Sequence, residues 1–214
     1  ANGIHGFDIF ILKLTSAGEF VWAKQMGGTE YDKGRSIKVD QSGNIYTVGE
    51  FQGTVDFDPG PGVTEMVTNG FAEDIFIQKL NSDGQFVWAK RIGSWNIDSA
   101  NAIDLDNKGS LYVTGKFKGN MDFDPGPGSI PLSSANQDVF VLKMDTAGQM
   151  LWAHRMGGAS DDQGTSVSVD PEGNVLVTGD FQYSSYFGNT NIGTGDLDAV
   201  GGTDIFILKL NGAG

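Results

Sequence analysis

Asp8-Ile9-Phe10-Ile11-Leu12-Lys13-Leu14 returns three times along this chain. The copies are Asp74-Ile75-Phe76-Ile77-Gln78-Lys79-Leu80, Asp138-Val139-Phe140-Val141-Leu142-Lys143-Met144 and Asp204-Ile205-Phe206-Ile207-Leu208-Lys209-Leu210. Successive copies lie 66, 64 and 66 residues apart. Trp22, Trp88 and Trp152 keep the same offsets, and so do Gly49, Gly115 and Gly179. Markers that move together define an internal repeat, and a repeat of this length governs the fold before any local signal does.

Working outward from that stretch, the apolar period is two. Ile9 to Leu14, a turn at Thr15-Ser16-Ala17-Gly18, and Glu19 to Gln25 read as a hairpin. A second hairpin joins Arg35–Asp40 to Asn44–Phe51 through Gln41-Ser42-Gly43, and its copies turn at Asn107-Lys108-Gly109 and Pro171-Glu172-Gly173. No stretch places apolar groups at helical spacing over ten or more residues. The fold class is therefore all-β, with four antiparallel strands per unit, which is one blade of a β-propeller.

With strands lettered A to D outward from the axis, the chain begins at strand C of one blade. It crosses two complete blades and ends on a strand C, with no D after Leu210. About three blades are present, whereas a ring takes ~4 to 8. The expectation is a single propeller fragment over 1–214, with repeats at approximately 8–73, 74–137 and 138–203 and a partial copy at 204–214. Bare strand edges invite pairing, so the remaining blades of a longer chain, or another copy, are expected to complete the ring.

Ser168 to Gly179 reads Ser-Val-Asp-x-x-Gly-Asn-x-x-Val-Thr-Gly, and Lys38 to Gly49 follows it approximately. Together with the Asp-x-Phe-x-x-Lys-Leu strand and the following Gly-Gly, this resembles the bacterial SBBP β-propeller repeat over nearly the whole chain. The departure is the stretch Asp-Phe-Asp-Pro-Gly-Pro-Gly, which is similar to stretches in secreted proteins of the Bacteroidetes type. The resemblance implies a propeller placed outside the cytoplasm, secreted or at the bacterial cell surface. It implies no catalytic residues.

Composition narrows the function classes. There are 32 glycines, about twice the usual ~7% share, and they stand between apolar runs, as many tight turns require. No cysteine is present, so disulfides play no part. A net charge of −13 argues against nucleic acid, which needs clustered Lys and Arg, and against anionic membrane surfaces. No run of ~18 apolar residues exists to insert in a bilayer. Ala1 to Gly6 carry no basic region leading into an apolar stretch, so no signal peptide is visible there.

Antiparallel connectivity puts the A–B and C–D turns at one end of each blade. The D–A connection (Gly27 to Gly34) and the B–C connection (Gln52 to Glu73) lie at the other. Long connections on a rigid scaffold are where binding concentrates, so this face is the place to look for a partner, either protein or glycan. Its most distinctive element is Asp56-Phe57-Asp58-Pro59-Gly60-Pro61-Gly62, repeated as Asp122-Phe123-Asp124-Pro125-Gly126-Pro127-Gly128. Asp56, Asp58, Asp122 and Asp124 could offer oxygens to Ca²⁺. Alternatively, the phenylalanine packs inward and the acids serve a stiff turn. The third repeat reads Tyr186-Phe187-Gly188-Asn189, keeping the phenylalanine and losing both acids, which favours packing.

Asp32, Asp98 and Asp162 recur in every D–A connection and are expected to accept hydrogen bonds from nearby backbone amides. Trp22, Trp88 and Trp152 are expected to be packing residues of strand D. Residues unique to one repeat are better ligand candidates. Trp95 stands where the other repeats have Thr29 and Ala159, and Tyr31 where they have Ile97 and Asp161. Either could stack on a sugar ring or anchor a protein partner, or Trp95 could fold down over the blade edge.

Only two histidines occur: His5 near the start, and His154, which replaces Lys24 and Lys90 on a strand as a surface variant. No Ser-His-Asp set or thiol nucleophile presents itself, and no carboxylate pair stands out among 27 acids. The leading reading is a non-catalytic extracellular binding, adhesion or scaffolding module. The alternative is a hydrolase or lyase acting on polysaccharide, its site completed by blades outside this sequence. A buried acid cluster unmatched between repeats would favour the enzyme, and an exposed aromatic strip around Trp95 would favour the binder.

Overall fold

The computed structural model describes residues 6–187 and 196–214; His5, Gly188 and Asn189 lie outside them. Every element is a strand. β1 (Ile9–Leu14) and β2 (Phe20–Met26) form a C–D pair. The first full blade runs A to D as β3 (Lys33–Val39), β4 (Ile45–Phe51), then, after the short pair β5 (Thr54–Asp56) and β6 (Glu65–Val67), β7 (Asp74–Leu80) and β8 (Phe86–Ile92). The second is β9 (Ser99–Leu105), β10 (Leu111–Asp122), β11 (Pro131–Met144) and β12 (Met150–Gly158). β13 (Gln163–Val169), β14 (Val175–Tyr186) and β15 (Asp196–Leu210) form an A–B–C blade. All pairings are antiparallel, and strands A (β3, β9, β13) lie against one another toward the axis.

The B–C connections, which the sequence presents as long loops, are hairpin arms. In the first full blade the arm is β5–β6, and in the next β10 and β11 run on into it with a register shift between Phe117 and Gly119. The kink at the arm's root puts the backbone in the left-handed region. Gly53 (φ 73°) and Gly119 (φ 85°) adopt it without a Cβ penalty, and Tyr183 holds it at φ 56° in the last blade. The alternation Thr54-Val55-Asp56-Phe57 is the signal for the arm, because Val55 and Phe57 are buried while Thr54 faces solvent.

The cores lie between blades. Ile75 and Ile77 of β7 join Ile103, Leu111, Phe117 and Phe140 of the next blade, while Phe76 and Leu80 of the same strand join Ile9, Ile11 and Met26 of the preceding pair. Period-two side chains thus serve two interfaces from one strand. Inside each blade three phenylalanines meet, one each from strand B, the arm and strand C. Phe51 and Phe57 pack edge to face at 5.2 Å with Phe57 5.1 Å from Phe76. Phe117, Phe123 and Phe140 repeat this at 5.1 and 5.3 Å, and Phe181, Phe187 and Phe206 at 5.4 and 4.5 Å. Phe187 is 4% exposed although its blade lacks the acids, so the phenylalanine is the part of the motif that packing requires.

The outermost faces lack such neighbours. Phe10 is 74% exposed where Phe76 is fully buried, and Ile205 and Ile207 are 79% and 78% exposed where Ile75 and Ile77 are fully buried. Truncating the central ring of one triad should be costly. Phe123→Ala is expected to lower unfolding free energy by about 3–5 kcal/mol in urea titration, and a loss below ~1 kcal/mol would mean that the arm is not anchored through its phenylalanine.

Candidate functional site

The face carrying the arms and D–A connections is fixed by one repeated carboxylate. Asp32 accepts from the backbone N–H of Gly28 (2.8 Å) and Gln52 (3.1 Å). Asp98 accepts from Ser94 (2.6 Å) and Lys118 (3.0 Å), and Asp162 from Gly158 (2.8 Å) and Gln182 (2.9 Å). Each thereby ties the start of its D–A connection to the end of strand B in its own blade. Its own N–H donates to the carbonyl ahead of strand C in the preceding blade: Phe7 for Asp32, Glu73 for Asp98 and Gln137 for Asp162. The expected turn role is therefore present, and it spans a blade boundary. Burial pushes the carboxyl of Asp32 and of Asp98 up to about 6 against the opposing pull of those amides, and raises Asp162 in the same way.

At the arm tips the paired acids serve the backbone. Asp56 Oδ1 accepts from the N–H of Asp58 (3.0 Å) and Thr64 (2.8 Å), and Asp58 Oδ1 from Gly60 (2.7 Å). Asp122 and Asp124 repeat this with Asp124 (3.0 Å), Ile130 (2.8 Å) and Gly126 (2.7 Å). The second oxygen of Asp58 lies over the turn so closely that a Cβ on Gly62 would sit 2.2 Å from it, and Asp124 does the same above Gly128 at 2.1 Å. That approach accounts for the Pro-Gly-Pro-Gly spacing. Gln78, buried in strand C, donates to the carbonyl of Phe57 (2.6 Å) and holds the arm from below. Among the described residues no three His, Cys, Asp or Glu side chains gather as a metal cage.

The two ligand candidates sit on this face at separate blade boundaries. Trp95 is 79% exposed, and its ring lies over Gly70, where an added Cβ would be 3.1 Å from it. Phe71, next in the chain, is 96% exposed. Tyr31 is 44% exposed and packs 5.6 Å from Phe7. His154 is half-buried rather than a free surface variant, because its ring lies 4.9 Å from Trp152, and burial lowers its pKa. The strand D tryptophans reach the following blade: Trp88 donates through Nε1 to Thr146 O (3.1 Å).

A third feature escaped the sequence reading. Near the axis, Glu50 of β4 is 4% exposed and paired with Arg35, whose Nε lies 2.9 Å from Oε2 and Nη2 2.5 Å from Oε1. Lys33 approaches at 3.3 Å, and Ser99 of the next blade donates to Oε2 at 2.5 Å. Burial works to raise the Glu50 carboxyl, but the Arg35 and Ser99 hydrogen bonds and the charges of Arg35 and Lys33 together hold it below the usual carboxylate range. These groups, with Glu73 and Lys116, line a cleft of about 280 Å³. The available signal was negative. At one repeat position the blades carry Glu50, Lys116 and Asp180, a place where the repeat fails.

Comparison with known proteins follows the same units. Residues 21–50 and 151–180 match the family described as Beta-propeller repeat, SBBP. Each matched segment runs from strand D through the Asp32 or Asp162 connection into strands A and B. An uncharacterized WD repeat-containing protein of Acanthamoeba polyphaga mimivirus is 27% identical over 121 residues, covering 50% of this chain and 9% of that protein. The regulatory protein FlaEY of Caulobacter vibrioides is 25% identical over 177 residues, covering 80% of this chain and 18% of that protein. The matches thus span less than a fifth of either relative's length. The chain has a β-propeller fold, and two of its segments match this repeat.

Two outcomes are expected from this geometry. The folded-state pKa of Asp32 and Asp98 is raised from 3.8 to about 6, so their contribution to stability is fully present below about pH 4 and is lost as pH rises through 6. Thermal midpoints should therefore fall between about pH 4.5 and 7. Asp98→Asn should flatten that slope and cost about 1–3 kcal/mol, because an amide must set a donor against Ser94 or Lys118 N–H; an unchanged slope would assign it to other acids. At the arms, Asp56→Ala should cost about 1–2 kcal/mol. Excess Ca²⁺ and chelator should give the same midpoint, whereas a bound ion at a hundredfold excess over Kd would add about 2.7 kcal/mol.

Proposed function

We propose that this propeller is a non-catalytic binding module that engages a protein or glycan partner through the face bearing the arms and D–A connections. The observation that carries the reading is the exposure of Trp95 and Phe71 on a backbone held by the Asp98 clamp. Large aromatics left in water on a rigid scaffold are what partner recognition uses most. The staples themselves repeat from blade to blade and serve the scaffold, so recognition falls to the residues that do not repeat.

Secretion or display at a bacterial cell surface, with an adhesive or scaffolding role, is the setting that the SBBP resemblance suggests. The bare apolar end faces suit coverage by further blades of a longer chain or by another copy, since single faces of this size are otherwise aggregation-prone. The polysaccharide hydrolase or lyase reading has less support. Its best acid, Glu50, is committed to Arg35 and held ionised, which suits an electrostatic anchor better than a general acid with a raised pKa.

An array of glycans and peptides, probed with the 214-residue chain and with Trp95→Ala and Tyr31→Ala, tests the reading. Loss of Trp95 should weaken the bound partner by about 2 kcal/mol, roughly 30-fold, without moving the melting midpoint. Full retention of binding by the double variant would overturn the assignment of this face.

A further inference from the structure

The axial cleft deepens the binding reading above and rests on it. Its lining differs from the rest of the molecule in two respects. The charged side chains of the clamps, arm tips and strand C lysines recur from blade to blade in register, whereas here the blades contribute different groups: Lys33 and Arg35 from the first, Ser99 and Lys116 from the second, Gln163 from the third. A set that does not repeat makes an asymmetric site, which an ordered ligand requires. Within a chain of net charge −13, this cleft gathers three cations, Lys33, Arg35 and Lys116, against two carboxylates, Glu50 and Glu73. The surplus is positive.

The cations are held in position. Buried Glu50 takes Nε and Nη2 of Arg35 and fixes the plane of the guanidinium, leaving Nη1 outside that pair. Lys116 forms no ion pair among the described residues. A planar carboxylate is the anion that such a fork and a nearby ammonium match best.

Two lining residues of the cleft lie close along the chain to the exposed aromatics. Glu73 lies two residues from Phe71, and Ile97, which also lines the cleft, two residues from Trp95. The two segments are joined by the hydrogen bond from Asp98 N to Glu73 O (2.9 Å) and by the packing of Trp95 on Gly70. An exposed aromatic offers an apolar face to the C–H side of a sugar ring, and the cleft, just below the ~300–1,000 Å³ usual for ligand pockets, suits a single residue. We infer that the cleft binds the carboxylate-bearing sugar of an acidic glycan, a uronic acid residue, with the neighbouring sugar on the Trp95 and Phe71 shelf.

The test is calorimetric titration of the 214-residue chain with short oligomers of galacturonate, glucuronate and mannuronate, their methyl esters, neutral galactose oligomers and an Asp-rich peptide. At least one acid oligomer should bind, and its methyl ester should bind tenfold or more weakly. Lys116→Met, which keeps the aliphatic stem, should weaken the acid form to the level of the ester and leave the ester and the melting midpoint unchanged. Trp95→Ala should weaken both. The inference fails if acid and ester bind alike, if no acid oligomer binds, or if the peptide binds more tightly than every uronate. Neutral binding that depends on Trp95 and ignores Lys116 would sink the uronate site while the loop-face reading stands. Binding indifferent to both residues would sink that reading as well.

Discussion

A buried aspartate at each blade boundary is the constraint on which the rest depends. Asp32, Asp98 and Asp162 each accept two backbone amides and donate their own to a third segment. Three pieces of chain that would otherwise carry unpaired polar groups are thereby joined where two sheets meet. The cost is an acid kept from water, which is why burial moves its pKa upward despite the donors. A polar hub of this kind fixes geometry as well as adding stability, because apolar contact alone would let neighbouring sheets slide.

The opposite face has its own fastening. Lys13, Lys79 and Lys143 donate to the carbonyls of Ser82, Thr146 and Gly212 in the next blade at 2.7, 3.1 and 3.0 Å. The strand D tryptophans lie over the turn glycines Gly84, Gly148 and Gly214. Aspartate above and lysine below, with an apolar core between them, set the angle at which one blade follows another. The Asp-x-Phe-x-x-Lys stretch thus carries the boundary lysine at one end and a triad phenylalanine in the middle, while its leading aspartate, Asp74 or Asp138, pairs with Arg91 or Arg155 on strand D of the same blade.

What the sequence made legible is what repeats. The strands, their order, the inward phenylalanine of the arm and the turn role of the aspartates all follow from period two and from offsets of 64 to 66 residues. The arm was harder to see as a hairpin, because β5 and β6 are three residues each and are separated by a proline–glycine turn. The Glu50 cleft was illegible for a deeper reason. It is assembled across blades from Lys33, Arg35, Ser99 and Lys116, and at none of these places do the copies agree. Trp95 and Tyr31 stood out as exceptions in the sequence, but exposure, the property that matters for recognition, depends on Gly70 and Phe7 lying where they do.

Because each core is shared by two sheets, no blade owns the apolar surface that stabilises it. The smallest cooperative unit is a neighbouring pair, and coupling extends only to the next sheet along, as in a one-dimensional array. Loss of one boundary leaves its two flanking sheets each with a single neighbour, so unravelling started at an end advances sheet by sheet, like a zip fastener. A chain of this kind can be lengthened by whole units without redesigning any interior, and its mechanical strength is set by its weakest seam rather than by its length.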